Sequence, residues 1–237
     1  MMRVIAGTAR GKNLAALPGE DVTRPTINRV KEAMFSSVQF SVPGARVLEV
    51  GPGLGVMTEE LLRRGARVTA VEKDPALAAW LRESLCREFP DTLELLEGDA
   101  LDCDWPALLA RGFSAFASNL PYSVGTRILM DLIGQPGAPD RLVTLVQREV
   151  ADRFAAAPGT PARGTAAVWL QLDYDVRVER LVKPSCFWPP PEVTSAVVRM
   201  ERHGRSTLNA EGKAFLRALS KQVFTPVSYT HLRAHET

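Results

Sequence analysis

The amino-acid sequence predicts an α/β fold in which a parallel sheet carries helices on both faces. From Arg46 onward, short apolar runs typical of buried strands alternate with stretches of helical periodicity. Turns containing glycine or an acidic residue directly follow several of these runs. Ligands of such sheets bind at the carboxyl ends of the strands, so the residues just after each strand are the first candidates for a functional site.

The first half of the sheet is predicted from three apolar runs and two helices. The strands are Arg46–Val50, Arg67–Val71 and Leu93–Leu96. The helices are Met57–Arg64, which Gly65 ends, and Ala76–Glu88, with Pro75 in its first turn and Pro90 behind it.

The second half continues the alternation of strands and helices to about Ala157, and a loop and a different order of elements follow. A fourth strand, Phe113–Ser118, precedes a helix over Val124–Ile133, and a fifth, Leu142–Val146, precedes a helix to about Ala157. Residues 157–164 have loop composition, and Thr165–Leu172 is compatible with helix or strand. The last elements expected are strands over Val176–Val182 and Thr194–Met200, and a helix over Thr207–Val223 that begins a small C-terminal lobe.

Composition narrows the class of protein. Of the 237 residues, 46% are hydrophobic and 24% charged, which argues against disorder, and no apolar run approaches the roughly 18 residues of a membrane span. Three scattered cysteines, Cys86, Cys103 and Cys186, favour a reduced cytoplasmic protein over a disulfide or zinc framework.

The charge is unevenly distributed. Residues 1–46 and 199–221 each carry a net charge of +4, whereas residues 47–198 carry −6. Basic ends are compatible with nucleic-acid binding and equally with solvated helix faces. Residues 1–43 form a basic segment with one expected helix, Thr26–Val38. Residues 226–237 show no periodicity and are interpreted as a non-native or disordered tail, whose two histidines are not expected to bind a metal.

A glycine-rich turn follows the first strand, in the segment Glu49-Val-Gly51-Pro-Gly53-Leu-Gly55. Glycines at this position let the backbone approach a ligand more closely than a Cβ allows. The dinucleotide pattern fails because Val56 stands where its last glycine belongs. The turn therefore favours a nucleoside cofactor without a pyrophosphate over a nicotinamide.

Acidic residues follow the second and third strands. The Glu72 carboxylate, in Val-Glu-Lys73-Asp, is placed to accept hydrogen bonds from ribose hydroxyls, and Asp99, in Gly-Asp-Ala100, to accept one from an adenine amine. Each alone is also compatible with an ordinary surface charge or turn.

The fourth strand runs into Ser118-Asn119-Leu120-Pro121-Tyr122. The lone pair of an exocyclic amine is delocalised into its ring, so the amine attacks a methyl group only when its orientation is fixed. The Asn119 side-chain carbonyl and the Leu120 backbone carbonyl are suited to accept its two N–H bonds. Pro121 restricts Leu120, and Tyr122 offers a flat face for a base.

A rigid aromatic loop, Phe187-Trp-Pro-Pro-Pro-Glu-Val193, precedes a later strand. One interpretation is that it holds the Phe187 ring against a bound base, because prolines lower the entropic cost of fixing a ring. The other is a polyproline ligand for a partner domain.

Together these motifs, with Gln147-Arg-Glu149-Val-Ala-x-Arg153 and Phe-x-Pro-x-Pro-x-Val-x-Ser, resemble the ribosomal RNA adenine N6,N6-dimethyltransferases, and the erythromycin-resistance methylases are close relatives. The resemblance runs from about Gly44 to Met200. It implies a Rossmann-like class I methyltransferase sheet, over 44–203, and a small helical C-terminal lobe, of which 204–225 would be a part.

The resemblance also implies S-adenosylmethionine as the cofactor. The substrate would be adenine in the ribosomal RNA of the small subunit, and the protein would be a monomer. The cofactor would be held by Glu49, Gly51, Gly53, Gly55, Glu72, Lys73, Asp99, Ala100 and Asn119. The target adenine would be held by Asn119, Leu120, Pro121, Tyr122 and Phe187.

Both ends depart from this pattern, and at the C-terminus the helical lobe is expected to be truncated. Segments 2–11 and 23–35 resemble the start of the 16S rRNA guanine-N2 methyltransferases, although the Asp-Pro-Pro-Tyr of that family is absent. Two alternatives therefore stay open: a guanine-N2 methyltransferase, and a non-catalytic RNA-binding assembly factor on the same fold.

Overall fold

A seven-stranded mixed sheet organises the computed structural model, which describes residues 2–3, 13–14, 34, 42–187 and 190–224. The strands are β1 Arg46–Val50, β2 Arg67–Glu72, β3 Leu93–Glu97, β4 Ala115–Asn119, β5 Arg141–Gln147, β6 Tyr174–Val182 and β7 Ser195–Arg202. Their spatial order is β3-β2-β1-β4-β5-β7-β6. The first five strands are parallel, and β7 is antiparallel to both β5 and β6.

Helices connect the parallel strands, as the alternating pattern predicts. The described helices are α1 Val56–Arg63, α2 Pro75–Glu83, α3 Leu85–Glu88, α4 Trp105–Leu109, α5 Gly125–Ile133, α6 Arg148–Phe154, α7 Thr165–Asp173 and α8 Ala210–Phe224, of which α1 to α5 connect the parallel strands. The segments Met2–Arg3 and Asn13–Leu14 pair as a separate two-residue antiparallel ladder. The predicted helix over Thr26–Val38, Met34 excepted, lies outside the described residues, as do Trp188, Pro189 and the tail from residue 225.

The core has two layers, because alternate residues of each strand point to opposite faces of the sheet. Phe116 on β4 and Leu142 on β5 pack into one apolar cluster. Their chain neighbours Ala117 and Val143 pack into the other. Near-continuous apolar runs in the central strands follow from this two-sided burial, so the predicted fold class is confirmed.

Most predicted bounds shift by one to three residues, and three differences change an element or the position of a site residue. The single helix expected over Ala76–Glu88 breaks at Ser84, whose hydroxyl donates to the Trp80 carbonyl oxygen at 2.7 Å. The five-residue helix α4 was not predicted, since one turn carries too little periodicity. The fourth strand begins at Ala115 and ends at Asn119, which puts Asn119 on the strand itself.

The ambiguous segment after residue 164 is the helix α7, and α8 packs against it. Trp169 Nε1 on α7 donates to Ser220 Oγ on α8 at 2.6 Å. The Arg217 guanidinium lies over the Trp169 ring, 5.7 Å from its centroid, and donates to the carbonyl oxygens of Ile133 and Gly134 at the end of α5. The boundary between a methyltransferase domain and a C-terminal lobe near residue 204 stays a prediction.

None of the described helices combines the length and the apolarity that crossing a bilayer requires.

Candidate active site

The predicted cofactor and substrate residues follow four adjacent strands of the sheet. In spatial order, Asp99 follows β3, Glu72 ends β2, Gly51 follows β1 and Asn119 ends β4. Parallel strands bring their carboxyl ends to one edge. The topology therefore gathers, at one edge of the sheet, residues that lie up to 68 positions apart in the sequence.

The glycine turn packs against the Asn-Leu-Pro-Tyr turn. The backbone of Gly51 has φ +67°, and a Cβ built on it would lie 3.9 Å from Pro121 Cδ. The Gly51 N–H donates to the Val71 carbonyl oxygen at 2.9 Å, which fixes the start of the turn against β2. Gly55 also serves packing, because a Cβ built on it would lie 2.4 Å from Leu85 Cδ1. Its predicted part in holding the cofactor stays a prediction.

Glu72 holds the glycine turn in place. Its buried carboxylate accepts a hydrogen bond from the Gly53 N–H on Oε2 at 3.1 Å and from the Asp74 N–H on Oε1 at 2.9 Å. Each carboxylate oxygen has a second lone-pair position, so acceptance from a hydroxyl remains available. Asp74 in turn caps α2, since its Oδ1 accepts from the N–H groups of Ala76 and Leu77.

Asp99 is engaged by two donors of this chain. Its Oδ1 accepts from the Leu101 N–H at 2.9 Å, and its Oδ2 lies 2.7 Å from Lys73 Nζ. The hydrogen bond from Lys73, followed by the one from Leu101, lowers the pKa of Asp99, and the pKa of Lys73 is raised by the same ion pair. The sequence placed both residues in the site without indicating that they bind each other.

Glu49 lies on β1, two residues before Gly51, with 1% of its surface exposed. The Thr58 hydroxyl on α1 donates to Glu49 Oε2 at 2.8 Å. Burial raises the pKa of Glu49 to about 8, although the Thr58 hydrogen bond opposes that shift. Glu49 thus links β1 to α1, and Ala100, also predicted to bind the cofactor, is buried in the core cluster.

The Asn119 turn is anchored on both sides. Just before it, the Ser118 hydroxyl donates to the Val50 carbonyl oxygen of β1 at 2.5 Å. Just after it, α5 begins at Gly125, where a Cβ would lie 2.8 Å from Leu120 Cβ. Asn119 itself is partly exposed and pairs with Leu145 in the β4–β5 register. The turn therefore presents Asn119 from a fixed backbone.

Tyr122 is tied to the aromatic loop through Ser195, the buried first residue of β7. The two hydroxyl oxygens lie 2.5 Å apart. Tyr122 also lines a small recess with Leu120, Gly125 and Val146. Sequence reasoning did not single out Ser195, although it is the serine that closes the Phe-x-Pro-x-Pro-x-Val-x-Ser motif.

The structure buries the Phe187 side chain, with 3% of its surface exposed, in the apolar cluster on one face of the sheet. The ring is therefore turned into the core rather than toward solvent. Its predicted stacking on a base stays a prediction, and it requires the ring to leave this cluster.

The hydrogen-bond acceptors at this edge fit an adenosyl cofactor. A buried carboxylate beside a glycine turn suits two ribose hydroxyls, and a carboxylate one strand further suits an exocyclic amine. Within the described residues, no three His, Cys, Asp or Glu side chains lie close enough together to hold a metal ion.

A family model and related proteins of known name assign the chain to the same family. The model of the ribosomal RNA adenine dimethylase family matches residues 26–235. The ribosomal RNA small subunit methyltransferase A of Opitutus terrae is 41% identical over 183 residues, which cover 76% of this chain and 65% of that protein. The corresponding protein of Geobacter metallireducens is 39% identical and covers 84% of this chain and 73% of its own.

The first of these relatives are longer proteins: the chain spans between 57% and 65% of their lengths. Among solved structures, the 23S rRNA methyltransferase ErmE aligns with a TM-score of 0.68. Its identity is 26%, and the alignment covers 86% of this chain and 81% of ErmE. A dimethyladenosine transferase from Plasmodium falciparum has a TM-score of 0.70 at 24% identity, covers 83% of this chain and 68% of its own, and supports the fold.

Proposed function

Because the chain belongs to the ribosomal RNA adenine dimethylase family, we propose that it transfers methyl groups from S-adenosylmethionine to the N6 amine of adenine in ribosomal RNA. The substrate would be small-subunit rRNA in the cytoplasm, and the protein would act as a monomer. The observation that carries the proposal is the packing of the Gly51 turn against Pro121, which sets the cofactor turn beside the Asn119 turn.

In this proposal S-adenosylmethionine, when bound, supplies an electrophilic methyl group on a sulfonium centre. Glu72 and the glycine turn would hold the ribose, and Asp99 the adenine of the cofactor. The Asn119 side-chain carbonyl and the Leu120 backbone carbonyl would accept the two N–H bonds of the target amine and orient its lone pair. These two dipoles also stabilise the positive charge that develops on the attacking nitrogen.

The target base would stack on Tyr122, as an unpaired base from a single-stranded loop. Phe187 would supply the second face once its ring leaves the core. The similarity to guanine-N2 methyltransferases is confined to residues 2–35, whereas the family match covers 26–235, so the comparisons favour adenine as the substrate.

The test is transfer of a tritiated methyl group from S-adenosylmethionine to small ribosomal subunits that lack the modification, followed by nucleoside analysis. We expect N6-methylated adenosines. Methylguanosine would support the alternative enzyme, and RNA binding without transfer would support an assembly factor.

Two variants at Asn119 sharpen this test. Asn119→Ala removes the side-chain acceptor, and we expect transfer to fall by about 100-fold or more, in the range of a lost transition-state interaction. Asn119→Asp keeps an acceptor oxygen of the same size and should retain more activity than Asn119→Ala. Transfer that is unchanged in Asn119→Ala would contradict the role given to Asn119.

A further inference from the structure

The Lys73–Asp99 ion pair occupies the position that the proposal gives to the adenine of the cofactor. Asp99 Oδ1 is engaged by the backbone N–H of Leu101 at 2.9 Å, and Oδ2 by Lys73 Nζ at 2.7 Å. The backbone donor is fixed by the turn. The ammonium stands on a flexible side chain that is 74% exposed, so it is the partner that can be exchanged.

The path of the lysine side chain crosses the site. Lys73 directly follows Glu72, the last residue of β2, and Glu72 pairs with Glu97 on β3. From there the side chain reaches the turn after β3 that carries Asp99. It therefore spans the gap between the carboxylate proposed for the ribose and the carboxylate proposed for the adenine.

A second acceptor for a displaced ammonium, Asp102, lies in the same turn as Asp99, since its N–H donates to the Asp99 carbonyl oxygen at 3.0 Å. The Asp102 carboxylate also attracts the Lys73 ammonium electrostatically. Lys73 can thus leave Asp99 without losing all of its favourable electrostatic interactions.

We propose that Lys73 is a latch on the adenine subsite, which holds Asp99 Oδ2 in the free protein and yields it to the 6-amino group of an adenosyl ligand. The inference rests on the proposed cofactor. It makes Lys73 a residue that sets both the affinity for aminopurine ligands and the salt dependence of that affinity. A ligand without the 6-amino group leaves the ion pair between Lys73 and Asp99 intact.

The test is calorimetric titration with S-adenosylhomocysteine and with its analogue in which a 6-unsubstituted purine replaces adenine. Lys73→Met removes the ammonium and keeps an unbranched side chain. At about 50 mM salt we expect the variant to bind S-adenosylhomocysteine about two- to fivefold more tightly than the wild type, the range of an exposed ion pair. The difference should shrink at about 500 mM salt because the pair is screened.

The analogue should bind equally to the wild type and to Lys73→Met, since it does not displace the lysine. Arg82→Met is the matched control. It removes a positive charge from another exposed ion pair at the same edge, Arg82 Nη2 to Glu97 Oε2 at 2.6 Å, without touching Asp99. It should leave both affinities unchanged.

Three results would overturn the latch: equal or weaker binding of S-adenosylhomocysteine by Lys73→Met, the same gain for both ligands, or the same gain in Arg82→Met. Each of them leaves the proposed function intact, because the cofactor product still binds. Failure of the wild type and of every variant to bind S-adenosylhomocysteine would instead remove the proposed function, and the latch with it.

Discussion

The hydroxyl oxygens of Tyr122 and Ser195 lie 2.5 Å apart, and this hydrogen bond joins the two loops to which a target base is assigned. Tyr122 belongs to the turn after β4, whereas Ser195 begins β7, two residues after the end of the aromatic loop at Val193. Ser195 is fully buried and lies in a continuous β-ladder with Gln147. The rigid sheet thereby restrains the tyrosine ring.

Ser195→Ala is expected to lower kcat/KM for rRNA methylation by about two- to tenfold, because one neutral hydrogen bond contributes about 0.5–1.5 kcal/mol. The affinity for S-adenosylhomocysteine should not change, since the Ser195 hydroxyl bonds to Tyr122, which is assigned to the target base. Initial rates with small ribosomal subunits, together with calorimetry, measure both quantities.

Tyr122→Phe tests the same hydrogen bond from its other end and keeps the aromatic face. If the bond acts by orienting the ring, the double variant should be no slower than the slower single variant, a coupling that a double-mutant cycle detects. Fully additive losses would show that the two hydroxyls act independently and would refute the restraint.

The sequence was sufficient to predict all seven strands of the sheet, six of them with bounds that shift by one or two residues, and the edge that carries the site. β1 has the predicted bounds, Arg46–Val50, because an apolar run stops at a glycine that must adopt positive φ. Glu72, Asp99 and Asn119 follow from the rule that parallel strands end at one edge.

The partners of these residues were not predictable, because they depend on which strands and helices become neighbours in space. Thr58 binds Glu49 across nine residues, and Ser195 binds Tyr122 across 73. No local period encodes either contact. The burial of Phe187 likewise follows from tertiary packing, whereas its motif indicated only an aromatic ring.

Gly55 is expected to be indispensable for packing. Gly55→Ala should lower the free energy of unfolding by about 2–4 kcal/mol, because the new Cβ combines a left-handed backbone with a collision. It would lie 2.4 Å from Leu85 Cδ1 and 2.8 Å from Leu81 Cδ2, and both leucines are buried. Urea denaturation followed by circular dichroism gives the value.

Gly112→Ala separates the two contributions. Gly112 has φ +75°, close to the φ +79° of Gly55, but nothing lies within 4 Å of its Cβ position. Its substitution should lower the free energy of unfolding only by the cost of a left-handed backbone at alanine, about 1 kcal/mol. Equal losses in the two variants would show that Leu81 and Leu85 accommodate the methyl group freely.

Trp169 is expected to hold α8 on the rest of the protein. Trp169→Ala removes the hydrogen bond to Ser220 and the ring that lies beneath Arg217 and Lys221. The free energy of unfolding should therefore fall by about 2–4 kcal/mol. Trypsin should also cleave α8 faster. Trp80→Ala, at a tryptophan that is 39% exposed on α2, is the control and should cost less than about 1 kcal/mol. Unchanged proteolysis in Trp169→Ala would contradict this docking.

Glu49 is expected to make stability depend on pH. Its pKa is about 8 in the folded protein against an ordinary value of 4.5, so the folded state binds the proton more tightly than the unfolded state does. The stabilisation from this proton is complete below about pH 4.5 and is lost as the pH rises toward about 8. Other titrating groups shape the same curve, so the wild type must be compared with a variant that differs at Glu49 alone.

Glu49→Gln is that variant, because the amide stays neutral and its carbonyl oxygen can still accept from Thr58. Near pH 5 the two proteins should be similar in stability. Near pH 9 the variant should be the more stable, by up to about 5 kcal/mol, since each unit of pKa difference corresponds to about 1.4 kcal/mol. Urea unfolding across this range measures the difference. A gap that stays constant with pH would mean that Glu49 titrates alike in both states, and that burial of its side chain does not hold its proton.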